Sequence, residues 1–571
     1  MSGKMLQTKS ILAAALLLTG VMAARPVMAW DGNDDAAAKN PDAAAMAAAH
    51  EAAKGDPLLE ALLAELDRSK AQLKMDQVKA PYYIEYRVND VDGFDSEAAF
   101  GALRDSQRSH LRVLRVVVRI GDYKQDSYYN QGTGSASILP TDDDPIALRR
   151  QIWLLTDDAY KSAADAYAEK LATLKQYTAE LNPVDDFAHA PVVSSVSPTV
   201  SLKIDQAAWD KALEDASGLY RKYPDVQSVS ASARFTAVNE YFVNSEGTIV
   251  RNGRTTATVT VSGSTQAEDG MRLSRNPFWT EERAEDLPNH DALLKETTKM
   301  LDSLKALRDA PIVEESYRGP VLFAPDAADD IMSGLVAGNI LGRKPQLGRP
   351  NRTTGAFATS LKTRVLPKFV TVLDDPTMRQ FQGKTLLGSY AFDSEGVRAQ
   401  EVTLVDSGTL QSYLVGRQPL RDFPASNGHG RAAPGTSPQP AVGTFIVKSS
   451  EPESADSLKQ KLIQMASEQN KPYAYRVDTL GPGNSPRLLY RVYVKDGHEE
   501  LVRGAVFNEL DVRALRNDLV ALGDDPLVSN RMGGVPQTII APSLLFDELE
   551  VKRADTSKDK LPEYPAPGSK N

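Results

Sequence analysis

The chain has 571 residues, 42% hydrophobic and 25% charged, a length that exceeds one ordinary core and calls for two or three domains. Its formal charge of −10, with Lys and Arg scattered among Asp and Glu, excludes a nucleic-acid footprint, which needs clustered cations. No cysteine is present, which excludes disulfides, thiolate–zinc ligation and a cysteine nucleophile.

Lys4 and Lys9 precede an apolar run at 11–24, and Val27 and Ala29 place small residues at −3 and −1. That pattern predicts a secretory signal peptide over 1–29 and an exported, periplasmic chain. The run is too short for a good membrane anchor. No later segment reaches 18 uninterrupted apolar residues, so no membrane span is expected in the mature chain. Residues 30–56 are Ala-rich and low in complexity, and predict a floppy or partly helical leader with His50 in solvent.

An N-terminal α+β domain is expected over 57–315. Periodicity predicts a helix at 58–74 and strands at 82–88 and from His110 onward. A long helix opens at Asp144-Pro145 and runs to about Leu181, with proline at its first position. Residues 189–201 look loop-like. A helix at 208–221, strands at 228–237 and 241–243, a turn at 244–247, a period-two strand from Thr255 and a helix from His290 complete this half.

A mostly antiparallel, β-rich C-terminal domain is expected over 316–555. It opens on a strand at 321–323 and continues in hairpins, 400–405 with 409–414 and 488–494 with 499–506. Asp496-Gly497 is a tight-turn pair that tolerates positive φ. A helix at about 454–469 interrupts them, and 556–571 is a charged, Pro-rich tail. The fold class is therefore α+β.

Several active-site chemistries fail on spacing. Gly383-Lys384-Thr385 ends like a phosphate-binding loop, but Met378 stands where the first glycine is required. No serine sits in Gly-x-Ser-x-Gly. His498-Glu499 lacks a second histidine one turn on, and no two of the six histidines lie within five residues of each other, which disfavours helical zinc ligation. Asp326, Asp329 and Asp330 follow the strand at 321–323 and read as helix capping, with Asp326 accepting from orphan N–H groups and the others favoured by the macrodipole. A hard-cation site is the alternative for these three carboxylates. Residues 425–440, "ASNGHGRAAPGTSPQP", read as turns or as a cleft-lining loop in which Asn427, His429 and Arg431 bind an extended peptide. Asp393 and Glu395 read as part of a turn.

Six stretches in order, "GPVLFAPDAADDIMSGLVAG", "VTVLDDPTM", "AFDSEGVRAQEVTLVDSGTLQSYLVG", "SNGHGR", "LVRGAVFNELDVRALRNDLVALGDD" and "TIIAPSLLFDELEV", resemble the TldD/PmbA family of peptidases. The resemblance covers roughly 225–571 well and the region from 57 more loosely. It implies an N-terminal α+β domain, a β-rich C-terminal domain, and dimers enclosing a cavity for unfolded peptides. It also implies that a TldD-type subunit carries His-Glu-x-x-x-His on the helix after the Gly-Pro strand and a cysteine ligand near its C-terminus. The PmbA/TldE-type partner lacks both. This sequence departs from the TldD pattern as the partner does, having no histidine over 326–336 and no cysteine around 529–533. The resemblance therefore implies no catalytic residue, metal or cofactor in this chain, with zinc in a TldD-like partner subunit. A self-dimer that binds periplasmic peptides without cutting them is the other reading.

Overall fold

The computed structural model describes residues 41–176, 184–345 and 353–564. The signal-peptide expectation at 1–29 lies outside the described residues, as does the predicted helix end near Leu181. Of the leader, Pro41–Ala53 is a helix, α1. Ala49 and Ala53 are buried, because alanine lets this helix approach the sheet and its neighbour α2 (Pro57–Gln72) closely. Asp56 caps α2 by accepting from the amides of Leu58 and Leu59, each at 3.0 Å. His50 is partly exposed and pairs with Asp67 at 2.6 Å.

The N-terminal half is built on one eight-stranded sheet. Its strands are β1 (Pro81–Ala99), β2 (Ala102–Ile120), β3 (Ser135–Leu139), β4 (Ser194–Val196), β5 (Val226–Asn244), β6 (Ile249–Gln266), β7 (Arg272–Arg275) and β8 (Phe278–Glu281). The order is β3-β2-β1-β5-β6-β4, with β7 and β8 both on β6. The two short strands expected at 228–237 and 241–243 are one continuous β5. Asn239-Glu240 between them carries no turn-forming residue such as Gly or Pro, and pairs across to Asn89 and Asp90. The loop-like tract 189–201 contributes β4, which pairs parallel to β6.

Side chains alternate across a strand, and here the two faces of the sheet have different fates. Ile84, Tyr86 and Val88 of β1 join Leu114, Val116 and Val118 of β2 in a core beneath α1, α2 and α3 (Pro145–Leu174). Further along the same face, Phe94, Phe235, Val259 and Val261 pack with α4 (Gln206–Gly218) and α5 (His290–Asp309). The helices thus cover one face only.

The other half begins with β9 (Tyr317–Phe323). It holds a six-stranded sheet ordered Thr409–Leu410, Val402–Asp406, Val370–Asp374, Thr444–Ser449, Pro536–Ala541, Leu527–Met532. A seven-stranded sheet runs Glu499–Val502, Ser485–Tyr493, Tyr473–Gly481, β9, Leu544–Arg553, Ala505–Phe507, with Leu519–Leu522 also on Leu544–Arg553. Val321 and Phe323 from one sheet and Val370, Val372, Phe445 and Ile539 from the other share a single apolar core. Leu322 points the opposite way, onto Leu458 and Leu462 of α7 (Ala455–Glu468), so the sheet is buried on both faces. The α+β class holds. Within the mostly antiparallel half two pairs run parallel, Thr444–Ser449 with Pro536–Ala541 and Tyr473–Gly481 with β9. Between them, β9 leads into α6 (Pro325–Ile331), with Ala327, Ala328 and Ile331 in the core.

Candidate functional site

The second face of the N-terminal sheet carries Tyr83, Glu85, Arg87 and Asn89 from β1 and Arg115 and Arg119 from β2, all buried. It meets the loops of the C-terminal half. Arg87 donates to the carbonyls of Ser394, at 3.4 Å, and Thr436. Arg115 donates to Gly435 O at 3.2 Å and Ser437 Oγ at 2.6 Å. Arg417 reaches the other way. Its two Nη atoms grip the Glu246 carboxylate at 2.8 Å each, while Nε and Nη2 donate to Ala188 O at 2.9 and 2.7 Å. The guanidinium is wholly buried and lies 4.0 Å from the Phe187 ring centre. A planar group with five donors meets all of these acceptors at once, which lysine cannot.

The Asp393–Gly396 segment is the turn the sequence predicts. Asp393 Oδ1 accepts from the amides of Glu395 and Val397 at 3.0 and 2.9 Å, and Oδ2 from Gly430 at 2.8 Å. Gly396 supplies the positive φ, 75°. Both carboxyls are buried, and burial pushes each above its usual range, Asp393 well above it with the Glu395 charge adding to the shift. Glu395 Oε2 accepts from Arg417 N at 2.6 Å. It lies so close to the 425–440 loop that a Cβ on Gly430 would fall 2.0 Å from it.

All three residues singled out in that loop sit near this turn, with their polar atoms engaged inside the protein. Asn427 accepts from Val415 N and donates to Tyr413 O, both at 2.9 Å. His429 is fully buried, with Nδ1 at 2.9 Å from Asn427 O and Nε2 at 3.2 Å from Asp374 Oδ1. Asp374, itself buried, also accepts from the amides of Gly443 and Thr444. It is the carboxylate partner that sequence spacing did not supply. Arg431 donates to Val442 O at 2.7 Å and Pro536 O at 2.6 Å, and its guanidinium lies 4.5 Å from the Tyr390 ring centre.

Of the three, Arg431 lines the cleft that opens between the halves, a space of about 290 Å³. One wall is the polar face of β5 and β6, bearing Glu240, Asn252 and Arg254. The other is formed by Arg379, residues 389–394 and Arg431. Sequence reasoning missed Glu240 and Arg254. Both sit at the outward positions of period-two strands, a pattern that reads as solvated surface until a second domain covers it.

On α6 the expected capping is replaced by an ion pair. The N-cap is Ala324, Pro325 takes the first turn, and no side chain caps the helix. Asp329, wholly buried, and Asp330 both accept from Nη2 of Arg531, the latter at 2.8 Å. Burial pushes the Asp329 carboxyl up to about 7 against the opposing pull of Arg531. Among the described residues no three His, Cys, Asp or Glu side chains are grouped as metal ligands.

An α+β half with helices on one sheet face, joined to two packed sheets, is an arrangement this chain shares with solved structures. TldE from Thermococcus kodakarensis superposes with a TM-score of 0.56 at 12% identity, over 87% of this chain and all of that one. Residues 316–553 match the family model of the PmbA/TldA metallopeptidase C-terminal domain. A metalloprotease of Methanocaldococcus jannaschii is 25% identical over 295 residues, half of this chain and 59% of that protein. A metalloprotease PmbA homolog of Haemophilus influenzae is 35% identical over 96 residues, 17% of this chain and 19% of that protein. The chain thus aligns with less than two thirds of the length of these two metalloproteases. Its C-terminal half, residues 316–553, belongs to the TldD/PmbA family, and the chain as a whole shares the fold of solved TldE.

Proposed function

We propose that this chain is the PmbA/TldE-like subunit of an exported TldD/PmbA-type metallopeptidase, acting as the structural and peptide-binding partner of a zinc-bearing TldD-like subunit. The observation that carries the reading is the guanidinium of Arg531, from the strand Leu527–Met532, paired with the aspartates of α6. Zinc needs several neutral imidazoles, thiolates or free carboxylates and an open position for water. Here Asp329 and Asp330 both face a cation already supplied by the chain, and among the described residues no histidine or cysteine groups with them as ligands. These side chains do not fit a zinc ion.

The cleft supports the peptide-binding part. It is walled by a sheet face and by loops held in place through carbonyl-directed arginines, and it offers charges of both signs. Purification of the native protein with its associated chains, followed by zinc quantification, tests the assignment. A His-Glu-x-x-x-His partner holding the zinc is the expected result. Stoichiometric zinc on the isolated chain, with cleavage of casein unaided, overturns it.

A further inference from the structure

Three guanidiniums border the cleft, and they are not equivalent. Arg431 is spent on two main-chain carbonyls and the Tyr390 ring. The guanidiniums of Arg254, half-buried on β6, and Arg379, exposed at the rim, make no hydrogen bond or close ion pair with any described residue, and Arg254 feels Glu240 only as a charge across the cleft. Against them stand Glu240, Glu282 and Asp393. Asp393 is committed to two amides of its own turn and to that of Gly430, and burial favours its uncharged form. Glu240 receives one long bond, 3.4 Å, from Asn89. At neutral pH the cleft therefore has a cationic excess centred on Arg254, whose guanidinium burial pushes down to about 10.

A half-buried guanidinium with no anion hydrogen-bonded to it has lost part of its solvation, which an anion entering the cleft restores. A planar fork of N–H donors is best satisfied by a carboxylate, which it can bind through two parallel hydrogen bonds. Glu240 and Glu282 would repel a doubly charged phosphate, but can accept from the amides of a chain attached to a single carboxylate. About 290 Å³ is room for the last residues of an extended peptide, not for a folded domain.

Resting on the peptide-binding reading above, we propose that this cleft captures the free C-terminal carboxylate of an extended peptide, with Arg254 as the anchor and Arg379 as a second cation at the mouth.

The test is binding of a fluorescein-labelled unstructured hexapeptide, as the free acid and as the C-terminal amide, to the intact protein with its associated subunit and to the Arg254→Gln and Arg254→Lys variants. The free acid is expected to bind at least about tenfold more tightly than the amide. Arg254→Gln is expected to bring the acid down to the level of the amide, and Arg254→Lys to retain part of the difference. Acid and amide binding equally well to the wild type overturns the C-terminal anchor and leaves peptide capture standing. Binding of neither form overturns both. The wild-type comparison decides the matter even if a variant fails to fold.

Discussion

Arg417 and Asp329 show how two buried charges in one chain meet opposite fates. Arg417 has full compensation from Glu246, Ala188 O and the aromatic face of Phe187. Removing one partner strands the other in low dielectric, so Glu246→Ala is expected to cost about 3–5 kcal/mol in urea unfolding. Asp329 has a cation beside it, yet burial prevails and its carboxyl titrates near 7 instead of the ordinary 3.8. Between those values the folded chain keeps a proton that the unfolded chain has released. The contribution of this group to stability therefore falls as pH rises from about 4 to about 7 and is level above that. Asp329→Asn stays uncharged throughout. Its melting temperature relative to wild type is expected to climb between about pH 5 and pH 7, and a flat difference across that window refutes the assignment.

The 425–440 loop and α6 mark what can be read from sequence at the scale of an element. Gly428, Gly430 and Gly435 announced a special backbone, and so it is. Gly430 is needed because the Glu395 carboxylate occupies the place of its missing side chain. Gly430→Ala is expected to cost about 1–3 kcal/mol, with a smaller penalty in a Glu395→Ala background, where the space has been cleared. Additive penalties in chemical denaturation would show that the two do not touch. The turn at 393–396 and helices α2, α5 and α7 follow from periodicity and caps, all of them local signals. The partner of α6 does not, because Arg531 lies some two hundred residues away and local rules offered a cap or a hard-cation site for its aspartates. His429 follows the same logic: its loop was legible, but Asp374, on a strand 55 residues earlier, was not.

For the whole molecule, sequence alternation located the long strands β1, β2, β5 and β6 of the N-terminal sheet, but it does not say what covers their polar face. Glu85, Arg87, Asn89 and Arg115 are the surface on which the C-terminal loops rest. A polar stripe looks the same in sequence whether water or another domain covers it. With Arg87, Arg115 and Arg417 crossing between the halves, calorimetry is expected to record a single unfolding transition. In Arg417→Ala that transition is expected to broaden or split.

The partner strand of β9 along one edge is Leu544–Arg553, and its other neighbour is Tyr473–Gly481. A nascent polypeptide that has reached residue 530 thus holds the first strand of this sheet but lacks the one that closes it. The N-terminal sheet, whose strands all precede residue 282, can be complete by then. Loop closure over so long a separation comes late and slowly. A stalled chain ending at 530 should therefore yield, under brief protease treatment, a resistant fragment from the first half and nothing stable from the second. Biosynthesis of the second half has its point of commitment in the strand Leu544–Arg553.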